Sequence, residues 1–362
     1  MRHDPAQSVW KAAAGALLLP LAAGYSAILS ARNRRYDRGV TPVHRAGVPV
    51  VSVGNLTAGG TGKTPMVIEV VERMRALRRR PAILTRGYHA RPGEASDEVR
   101  ELRETLPGVP VVVDADRAAG AATAVRVESA DCLVLDDGFQ HRRLARDLDI
   151  VLIDALDPWG GGRLLPAGLL REPVSSLRRA QLAVVSRANQ VEADALQAID
   201  ARLADVAPHV DVLLANVVAQ RVLLLDGTEL AMPDLHYHHV LPVCGIGNPT
   251  TFVRLVQHEA GCVSEPFVYR DHHRYSRRDA ANIARRAARS GADLVITTRK
   301  DWVKLAPLWR ALGDAAPTLA RIDVRLMLDD PDGILDDLLA ELVGVKPEDL
   351  PARRSSGNPP LD

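Results

Sequence analysis

One segment, residues 51–65 with the sequence VSVGNLTAGGTGKTP, constrains the fold of this 362-residue chain more than any other. The run that precedes the glycines, VPVVSVG, is β-branched and does not alternate with polar residues, which is typical of a parallel strand covered on both faces. After the glycines, residues 64–80 have the apolar spacing of a helix with a proline in its first turn. The order of strand, glycine loop and helix predicts an anion site.

The loop departs from the usual spelling of a phosphate-binding loop, because Thr57 stands where the first Gly of Gly-x4-Gly-Lys-Ser/Thr is expected. Its chemistry is complete, however. Glycines let backbone N–H groups converge on an anion, Lys63 can reach the β and γ phosphates, and the Thr64 hydroxyl can bind Mg²⁺. We predict a nucleotide site formed by consecutive residues, namely Thr57, Ala58, Gly59, Gly60, Thr61, Gly62, Lys63 and Thr64.

Two acidic residues follow another apolar run and complete the predicted site. The run CLVLDD puts Asp136 and Asp137 at the end of a strand, and the carboxyl ends of parallel strands form the edge at which α/β sheets bind ligands. A phosphate-binding loop needs a carboxylate on a neighbouring strand to position the metal ion. We therefore predict Thr64, Asp136 and Asp137 as the ligands of Mg²⁺.

Apolar runs of the same kind recur along the chain, at residues 82–88, 109–114, 132–137, 150–155 and 182–187. Helical segments separate several of them. Strands that alternate with helices indicate a parallel sheet with right-handed crossovers. The predicted fold class is α/β, with a P-loop NTPase-like parallel sheet domain, a second smaller α/β domain and an N-terminal membrane-associated helix.

Local sequence signals predict the domain boundaries. A P-loop kinase or ATPase domain covers residues 39–216, and a smaller α/β domain covers residues 235–345. A hairpin linker joins them at residues 217–234, because two apolar runs there flank Asp226 and Gly227, a dipeptide that strongly favours a hairpin. The Pro-rich, polar residues 346–362 are predicted to be a disordered tail.

Residues 1–38 carry an apolar segment and a basic flank. Residues 12–29 have no charge, and a helix needs about 20 apolar residues to cross a bilayer. Four arginines follow and favour a cytoplasmic location for the rest of the chain, namely Arg32, Arg34, Arg35 and Arg38. We predict a membrane-associated helix; the alternatives are a buried amphipathic helix and a cleaved signal peptide. Export would separate the loop from its nucleotide, which argues against the signal peptide.

The overall charge gives no reason to expect a nucleic acid as partner. Lys and Arg (46) nearly balance Asp and Glu (45), for a net charge of +1. The cysteines, Cys132, Cys244 and Cys262, are widely separated without the spacing of a zinc site or a disulfide framework. Any charged ligand must therefore be bound locally.

A nucleotide site alone does not define the reaction. One possibility is a membrane-surface ATPase of the partitioning type, because GGTGKT also resembles the loop of those proteins. They carry a signature lysine before the two glycines, and Ala58 stands at that position here. The other possibility is a small-molecule kinase, which must also present an acceptor hydroxyl and a base that takes its proton.

Several long motifs, in order along the chain, resemble one family, the tetraacyldisaccharide 4'-kinases of lipid A biosynthesis. The resemblance extends from the apolar amino terminus to about Lys304. The motifs are SVGNLTAGGTGKTP, LTRGY (84–88), LDDGFQHRRLARDLDIVLID (135–154), GGGRLLPAGLLREP (160–173), CGIGNP (244–249), DHHRY (271–275) and TTRKD (297–301).

The resemblance implies a kinase that uses ATP and Mg²⁺. It implies transfer of the γ-phosphate to the 4'-hydroxyl of a tetraacylated glucosamine disaccharide 1-phosphate, which gives lipid IVA. It also implies a location at the cytoplasmic face of the inner membrane, where membrane lipid is a partner, because four acyl chains hold the acceptor in the bilayer. The resemblance also accounts for Thr57, because this family has Thr at the position of the first Gly.

The resemblance also implies roles for individual residues. Lys63 acts on the phosphates as part of the catalytic set, Asp97 corresponds to the family's base, and His272 of DHH is its partner. The element around Asp97 reads Ser-Asp-Glu-Val here where the family has Gly-Asp-Glu-Pro, so Asp114 and Asp116 remain alternatives for the base.

Arginines in Gly- or Pro-punctuated loops suit the substrate's 1-phosphate, and these are Arg86, Arg163 and Arg171. Arg299 replaces an acidic residue that the family's Thr-x-Lys-Asp motif leads us to expect.

Overall fold

The computed structural model describes residues 18–87, 96–313 and 316–346. The chain divides into two compact units. Unit 1 takes the residues up to Gly87, the segment Leu106–Asn216 and the residues from Met327 onward. Unit 2 takes Tyr88–Thr105 and Val217–Leu326.

The α-helices of the described residues are α1 (Leu19–Asp37), α2 (Lys63–Ala76), α3 (Asp97–Thr105), α4 (Arg117–Arg126), α5 (Ala193–Val206), α6 (Pro249–Glu259), α7 (Arg277–Ser290), α8 (Arg299–Arg310) and α9 (Ile334–Val343). Short 3-10 turns lie at Gly160–Gly162, Val174–Arg179, Ala188–Gln190 and Met232–Tyr237.

The strands are β1 (Val50–Asn55), β2 (Pro81–Thr85), β3 (Val111–Val113), β4 (Cys132–Asp136), β5 (Leu148–Asp154), β6 (Leu182–Ser186), β7 (Asp211–Leu224), β8 (Glu229–Leu230), β9 (His239–Cys244), β10 (Cys262–Val263), β11 (Phe267–Val268), β12 (Leu294–Thr298) and β13 (Thr318–Asp329).

The sheet of unit 1 is parallel, with β1 near its centre. Its order is β6, β5, β1, β4, β2, β3, and the first half of β7 adds a further parallel strand beside β6. Every residue of β1, β2, β4 and β6 is buried, because helices such as α2 cover the faces that would otherwise require polar residues. The prediction of a parallel α/β fold from unalternating apolar runs is confirmed. Tyr88, at the end of one predicted run, lies outside the described residues.

Within unit 2, parallel strands follow in the order β10, β9, β12, β13, with β11 also beside β9. Helices α7 and α8 pack on one side through Ile283, Leu305 and Trp309. Helix α6 packs on the other through Phe252 and Val256. The predicted hairpin is formed by the second half of β7 and by β8, which pair in antiparallel fashion around the turn at Asp226 and Gly227; these residues belong to unit 2. The arrangement gives unit 2 a three-layer core of its own.

Helix α3 belongs to unit 2, although the sequence reading included its residues in the P-loop domain. It packs against α8. A buried charge supports this contact, because the Asp323 side chain has no exposed surface and Arg299 Nε donates to it at 2.9 Å. Arg299 also donates to Thr105 Oγ1 at the end of α3. Arg299, which stands where the resemblance leads us to expect an acidic residue, therefore ties α3 and α8 to β13.

The N-terminal helix α1 lies in unit 1 and is held by polar contacts. Tyr25 Oη donates to the carbonyl oxygen of Arg171 at 3.0 Å, and Arg32 Nη2 donates to that of Gln140 at 2.8 Å. Across the part of the chain that the structure describes, no helix combines the length and apolar character needed to cross a bilayer. Residues 12–17 of the predicted apolar segment, and residues 347–362 of the predicted tail, lie outside the described residues.

We expect Asp323→Ala to lower the free energy of unfolding by about 3 kcal/mol, because Arg299 and Arg321 would lose the carboxylate that balances their partly buried charges. Urea unfolding followed by circular dichroism measures this change. Asp329→Ala, at the exposed end of the same strand, is the matched control and should change stability by no more than about 0.5 kcal/mol. Equal losses in the two variants would contradict the assignment.

The same carboxylate makes stability depend on pH with a defined sign. Burial raises the pKa of Asp323, but the hydrogen bonds and charges of Arg299, Arg321 and Arg221 outweigh burial and lower it. The stabilisation is therefore complete above the pKa of an unfolded Asp, about 3.9, and is lost as the pH falls through the lower folded-state value. We expect the stability difference between wild type and Asp323→Asn to shrink with acidification; a difference that is constant with pH would contradict this.

Candidate functional site

The predicted phosphate loop joins β1 to α2 at the carboxyl edge of the unit 1 sheet. Strand β1 ends at Asn55, and α2 begins at Lys63. Gly62 precedes the helix with φ 91°, a left-handed conformation that strains any residue with a Cβ. The N–H groups of the first helical turn have no partner within the helix. Loop and helix end together supply the donors and the positive dipole end that bind a phosphate group.

Contacts from neighbouring strands hold the loop in place. Ser186 Oγ, at the end of β6, donates to the Thr61 carbonyl oxygen at 2.9 Å. Arg187 Nη2 donates to the Gly60 carbonyl oxygen at 2.9 Å, while its Nε donates to Asp154 Oδ1 at 2.8 Å. These contacts fix the loop backbone, and a preorganised loop loses less conformational entropy on binding.

Thr57, at the unusual first position of the loop, is buried and holds the start of the loop in place. Thr57 forms an isolated antiparallel bridge with Leu170, and Ala58 N donates to the Leu169 carbonyl oxygen at 2.7 Å. A Cβ added at Gly160 would lie 3.0 Å from Thr57 Cγ2, so the chain passes close to this side chain. Thr57 therefore anchors the start of the loop against the segment around residue 170.

Lys63 is a half-buried cation among oxygen atoms. Its Nζ donates to Asn55 Oδ1 at 3.3 Å and lies 3.6 Å from Asp137 Oδ1. Asn55 is oriented by its own Nδ2, which donates to the Thr57 carbonyl oxygen at 2.7 Å. Burial lowers the pKa of Lys63, and the carboxylate of Asp137 opposes that effect. A phosphate oxygen that reached Lys63 would meet a poorly hydrated ammonium group.

Asp137 lies between two cations. Arg171 Nη1 donates to both of its carboxylate oxygens, at 2.8 and 2.7 Å. Burial raises the pKa of Asp137, but Lys63 and Arg171 outweigh burial and lower it. Asp136, the last residue of β4, is buried and accepts a hydrogen bond from Thr85 Oγ1 at 3.2 Å. The structure thus assembles Lys63, Asp137 and Arg171 into one charged group, the loop cluster.

The donor atoms near the loop fit Mg²⁺. Thr64 supplies a hydroxyl oxygen, and Asp136 and Asp137 supply carboxylate oxygens, which are the hard ligands that this ion prefers. Among the described residues, no group of three or more His, Cys, Asp and Glu side chains could hold a metal by itself. Mg²⁺ ordinarily takes one or two carboxylates and completes its shell with phosphate oxygens and water.

The predicted base and its partner lie together within unit 2. His272 Nδ1 is 3.5 Å from Asp97 Oδ2, and Lys304 Nζ donates to the same oxygen at 3.1 Å. Lys300 Nζ lies 3.2 Å from His272 Nε2 and 3.4 Å from Glu98 Oε1. We name these five side chains, Asp97, Glu98, His272, Lys300 and Lys304, the acid cluster.

The backbone of unit 2 orients His272. Its φ is 57°, and its N–H donates to the Gly245 carbonyl oxygen at 3.1 Å and to Asp271 Oδ1 at 2.9 Å. Gly245 N in turn donates to Asp301 Oδ2 at 2.8 Å, and Asp301 is buried at the start of α8. The DHH and TRKD motifs are therefore joined through one buried carboxylate.

The alternative bases are engaged in local structure. Asp116 caps α4 by accepting from Ala118 N at 3.0 Å, and it pairs with Arg143 at 3.2 Å. That backbone hydrogen bond lowers the pKa of Asp116. Asp114 Oδ1 accepts from Asp116 N at 2.8 Å. Both carboxylates thus act in the turn that starts α4, while the choice among the three candidate bases stays a prediction.

Of the three arginines predicted to hold the substrate phosphate, the structure brings Arg171 to the loop cluster. Arg86, directly after β2, and Arg163, after the turn at Gly160–Gly162, are exposed side chains. Their roles stay predictions.

Sequence reasoning missed residues that contact the loop and members of the acid cluster. Asn55 was hidden because it reads as the last residue of a strand. Lys300 and Lys304 carry a signal that could have been used, since residues four apart on a helix share one face and α8 begins directly at the TRKD motif. Arg187 follows an apolar run in the same way as Asp137 does, and the carboxyl end of β6 would have indicated it.

Comparison with known proteins places the chain in a family. The family model LpxK, Tetraacyldisaccharide-1-P 4'-kinase, matches residues 14–343. A tetraacyldisaccharide 4'-kinase of Anaeromyxobacter dehalogenans strain 2CP-C is 40% identical over 335 residues, which cover 87% of this chain and 88% of that protein. The protein of the same name from Halothermothrix orenii is 35% identical over 310 residues, covering 78% and 80%.

A solved structure gives the same result. The crystal structure of an "apo" form of LpxK from Aquifex aeolicus in complex with ATP matches with a TM-score of 0.70 and 28% identity, over 91% of this chain and 99% of that one. The α/β fold, the loop motif and the sequence relatives agree. The chain therefore belongs to the tetraacyldisaccharide-1-phosphate 4'-kinase family and is a kinase of lipid A biosynthesis.

Proposed function

We propose that this chain transfers the γ-phosphate of ATP, with Mg²⁺, to the 4'-hydroxyl of a tetraacylated glucosamine disaccharide 1-phosphate and so forms lipid IVA. The observation that carries this proposal is the loop cluster, in which the cation of Lys63 is held beside Asp137 and Arg171 directly at a glycine loop. No specific feature favours the partitioning-type ATPase, whose signature lysine is replaced by Ala58.

The loop binds the triphosphate through backbone N–H groups and the helix α2 amino terminus. Lys63 donates to the β and γ phosphate oxygens and exchanges its contacts with Asn55 and Asp137 for them. Thr64, Asp136 and Asp137 would hold Mg²⁺, which supplies neutralisation of the charge that develops between the β and γ phosphates. Arg171 can then leave the Asp137 carboxylate and donate to an anionic group of the substrate.

Asp97 takes the proton of the acceptor hydroxyl. As the hydroxyl oxygen bonds to the γ-phosphorus, the bond from phosphorus to the bridging oxygen of ADP breaks, and the proton moves to the Asp97 carboxylate. Because His272 and Lys304 both contact Asp97 Oδ2, we assign the proton of the hydroxyl to Oδ1. A carboxylate is an adequate base here, because positioning and charge neutralisation supply most of the rate of phosphoryl transfer.

We also propose that the enzyme works at the cytoplasmic face of the inner membrane, attached through its N-terminal helix. Leu21 and Ile28 of α1 expose 62% and 70% of their surface and lie seven residues apart, which places them on one face of the helix. Basic residues in the last turn, Arg34 and Arg35, suit anionic lipid head groups. The acyl chains of the acceptor lie in the same interface.

We expect Lys63→Ala to abolish transfer of labelled γ-phosphate from ATP to tetraacyldisaccharide 1-phosphate in detergent, with a loss of at least about a thousandfold. The reason is that the γ-phosphate loses the cation that neutralises its developing charge. Lys346→Ala is the matched control, because Lys346 is an exposed lysine of unit 1, and this variant should retain full activity.

ATP hydrolysis by the wild type, measured with and without acceptor, also distinguishes a kinase from a partitioning-type ATPase. A kinase hydrolyses ATP slowly until acceptor is supplied, whereas a partitioning-type ATPase hydrolyses it without acceptor and dimerises with nucleotide. Folded, ATP-binding wild type that transfers no phosphate to this acceptor would refute the proposed substrate.

We expect Asp97→Asn to lower kcat by about a hundredfold to ten-thousandfold, because the hydroxyl proton loses its acceptor. Binding of ATP, measured by isothermal titration, should be unchanged. Asp114→Asn and Asp116→Asn are the comparison variants and should keep most of the activity. A collapse in one of these, with near-normal Asp97→Asn, would move the base to the start of α4.

We expect Leu21→Asp and Ile28→Asp each to weaken binding to vesicles of anionic phospholipid by about tenfold or more, because each removes a large apolar side chain from the interface. Vesicle flotation measures the bound fraction. Val127→Asp is the matched control, since Val127 is 71% exposed on unit 1 and its replacement by Asp adds the same charge. Equal loss with the control variant, or no loss in either α1 variant, would contradict attachment through α1.

A further inference from the structure

The contacts of Lys300 within the acid cluster have a chemical consequence for His272. Lys300 is the second residue of α8, and its side chain is 17% exposed. Its Nζ lies 3.2 Å from His272 Nε2, 3.4 Å from Asp271 Oδ1 and 3.4 Å from Glu98 Oε1. The ammonium group is thus surrounded by two carboxylates and one ring nitrogen.

The ring nitrogen that faces Lys300 must accept a hydrogen bond. A lysine ammonium has three N–H donors and no acceptor, while a neutral imidazole has one N–H and one lone pair. A hydrogen bond between Lys300 and His272 Nε2 therefore requires the lone pair at Nε2. The proton of the neutral ring is then on Nδ1, the atom 3.5 Å from Asp97 Oδ2.

We propose that Lys300 is a positioning residue that sets the tautomer of His272, so that the Nδ1–H of His272 points at the Asp97 carboxylate. The inference rests on the proposed role of Asp97 as the base. The backbone of His272 is already held by its own N–H contacts, so ring orientation and proton position are what remain to be determined. Because the Nδ1–H of His272 and the ammonium of Lys304 both contact Oδ2 of Asp97, Oδ1 is the oxygen that accepts the proton of the hydroxyl.

Glu98 makes the role of Lys300 necessary. Its Oε1 is 3.8 Å from His272 Nε2, so it is a carboxylate acceptor on the side of the ring opposite Asp97. Without the Lys300 ammonium, which contacts both groups, Glu98 would favour a proton on Nε2. His272 Nδ1 would then present its lone pair to Asp97 Oδ2, and two acceptors would face each other.

Lys304 does a different task, although it lies four residues further along the same helix. Its Nζ contacts Asp97 Oδ2 and, at 3.3 Å, Asp301 Oδ1. It therefore acts on the carboxylate directly, whereas Lys300 acts through the imidazole. Both lysines therefore orient Asp97, Lys304 by direct contact and Lys300 through His272.

The test is the proton position on the ring, read by long-range ¹H–¹⁵N correlation spectra of the full chain labelled at histidine nitrogen. Spectra recorded near pH 8.5, where an imidazole is ordinarily neutral, separate protonated from unprotonated ring nitrogens. The signals of His272 are those missing from His272→Gln. We expect wild type to carry the proton on Nδ1; a wild-type ring with its proton on Nε2 overturns the proposal without any variant.

Two substitutions at Lys300 extend the test. Lys300→Met should move the His272 proton toward Nε2 and lower kcat by about tenfold to a hundredfold, with the dissociation constant of ATP unchanged. Lys300→Arg keeps a cation with donors only and should retain the Nδ1 proton and most of the turnover. A Lys300→Met protein with the wild-type tautomer and wild-type kcat would refute the proposal.

Failure of the proposed function leaves a different pattern. If Asp97→Asn retains full activity, Asp97 is not the base, while the tautomer of His272 and its response to Lys300→Met are still read from the spectra. If Asp97→Asn is inactive but Lys300→Met changes neither spectrum nor kcat, only the role of Lys300 fails. Thermal unfolding of each variant separates these outcomes from loss of the fold.

Discussion

The placement of one carboxylate between two cations organises the nucleotide site. Asp137 follows β4, Lys63 begins α2, and Arg171 comes from the segment that also anchors the start of the loop through Leu170. Each of the three side chains is largely withdrawn from water, and a charge withdrawn from water is costly unless an opposite charge lies beside it. A triphosphate brings four negative charges to this group. Under the proposed function, its oxygens compete with Asp137 for Lys63 and Arg171.

That charged group exists only because the sheet has one register. Strands β1 and β4 pair in parallel with Val53 opposite Asp136, which brings the end of β4 beside the start of the loop. Shifting this pairing by one residue would turn the side chains of β4 to the opposite face. The complete burial of both strands prevents such a shift, since their apolar side chains fill the layers on either side. Packing of the sheet thus fixes the chemistry at its edge.

Whether a contact could be predicted from the sequence depends on how far apart its two residues lie along the chain. The loop, Lys63 and Asp137 were accessible, because parallel α/β sheets collect the residues that follow their strands. The place of α3 in unit 2 was not, since its ties to α8, through Thr105 and Arg299 and through Asp97 and Lys304, join residues about 200 positions apart and leave no periodic signal. Resemblance to a family supplied the pairing of Asp97 with His272, which local physics could not.

The acid cluster depends in turn on the buried carboxylate of Asp301. Oδ2 accepts from Gly245 N and from Thr298 Oγ1, and Oδ1 lies 3.3 Å from Lys304 Nζ. Gly245 also receives the N–H of His272 at its carbonyl oxygen, so the same buried group fixes both neighbours of Asp97 from within the core. A buried carboxylate is stabilised by hydrogen-bond donors and by a neighbouring opposite charge. At the start of α8, the donors on Oδ2 and the Lys304 ammonium beside Oδ1 supply this stabilisation, and the same contacts bring the imidazole and the ammonium to one oxygen of Asp97.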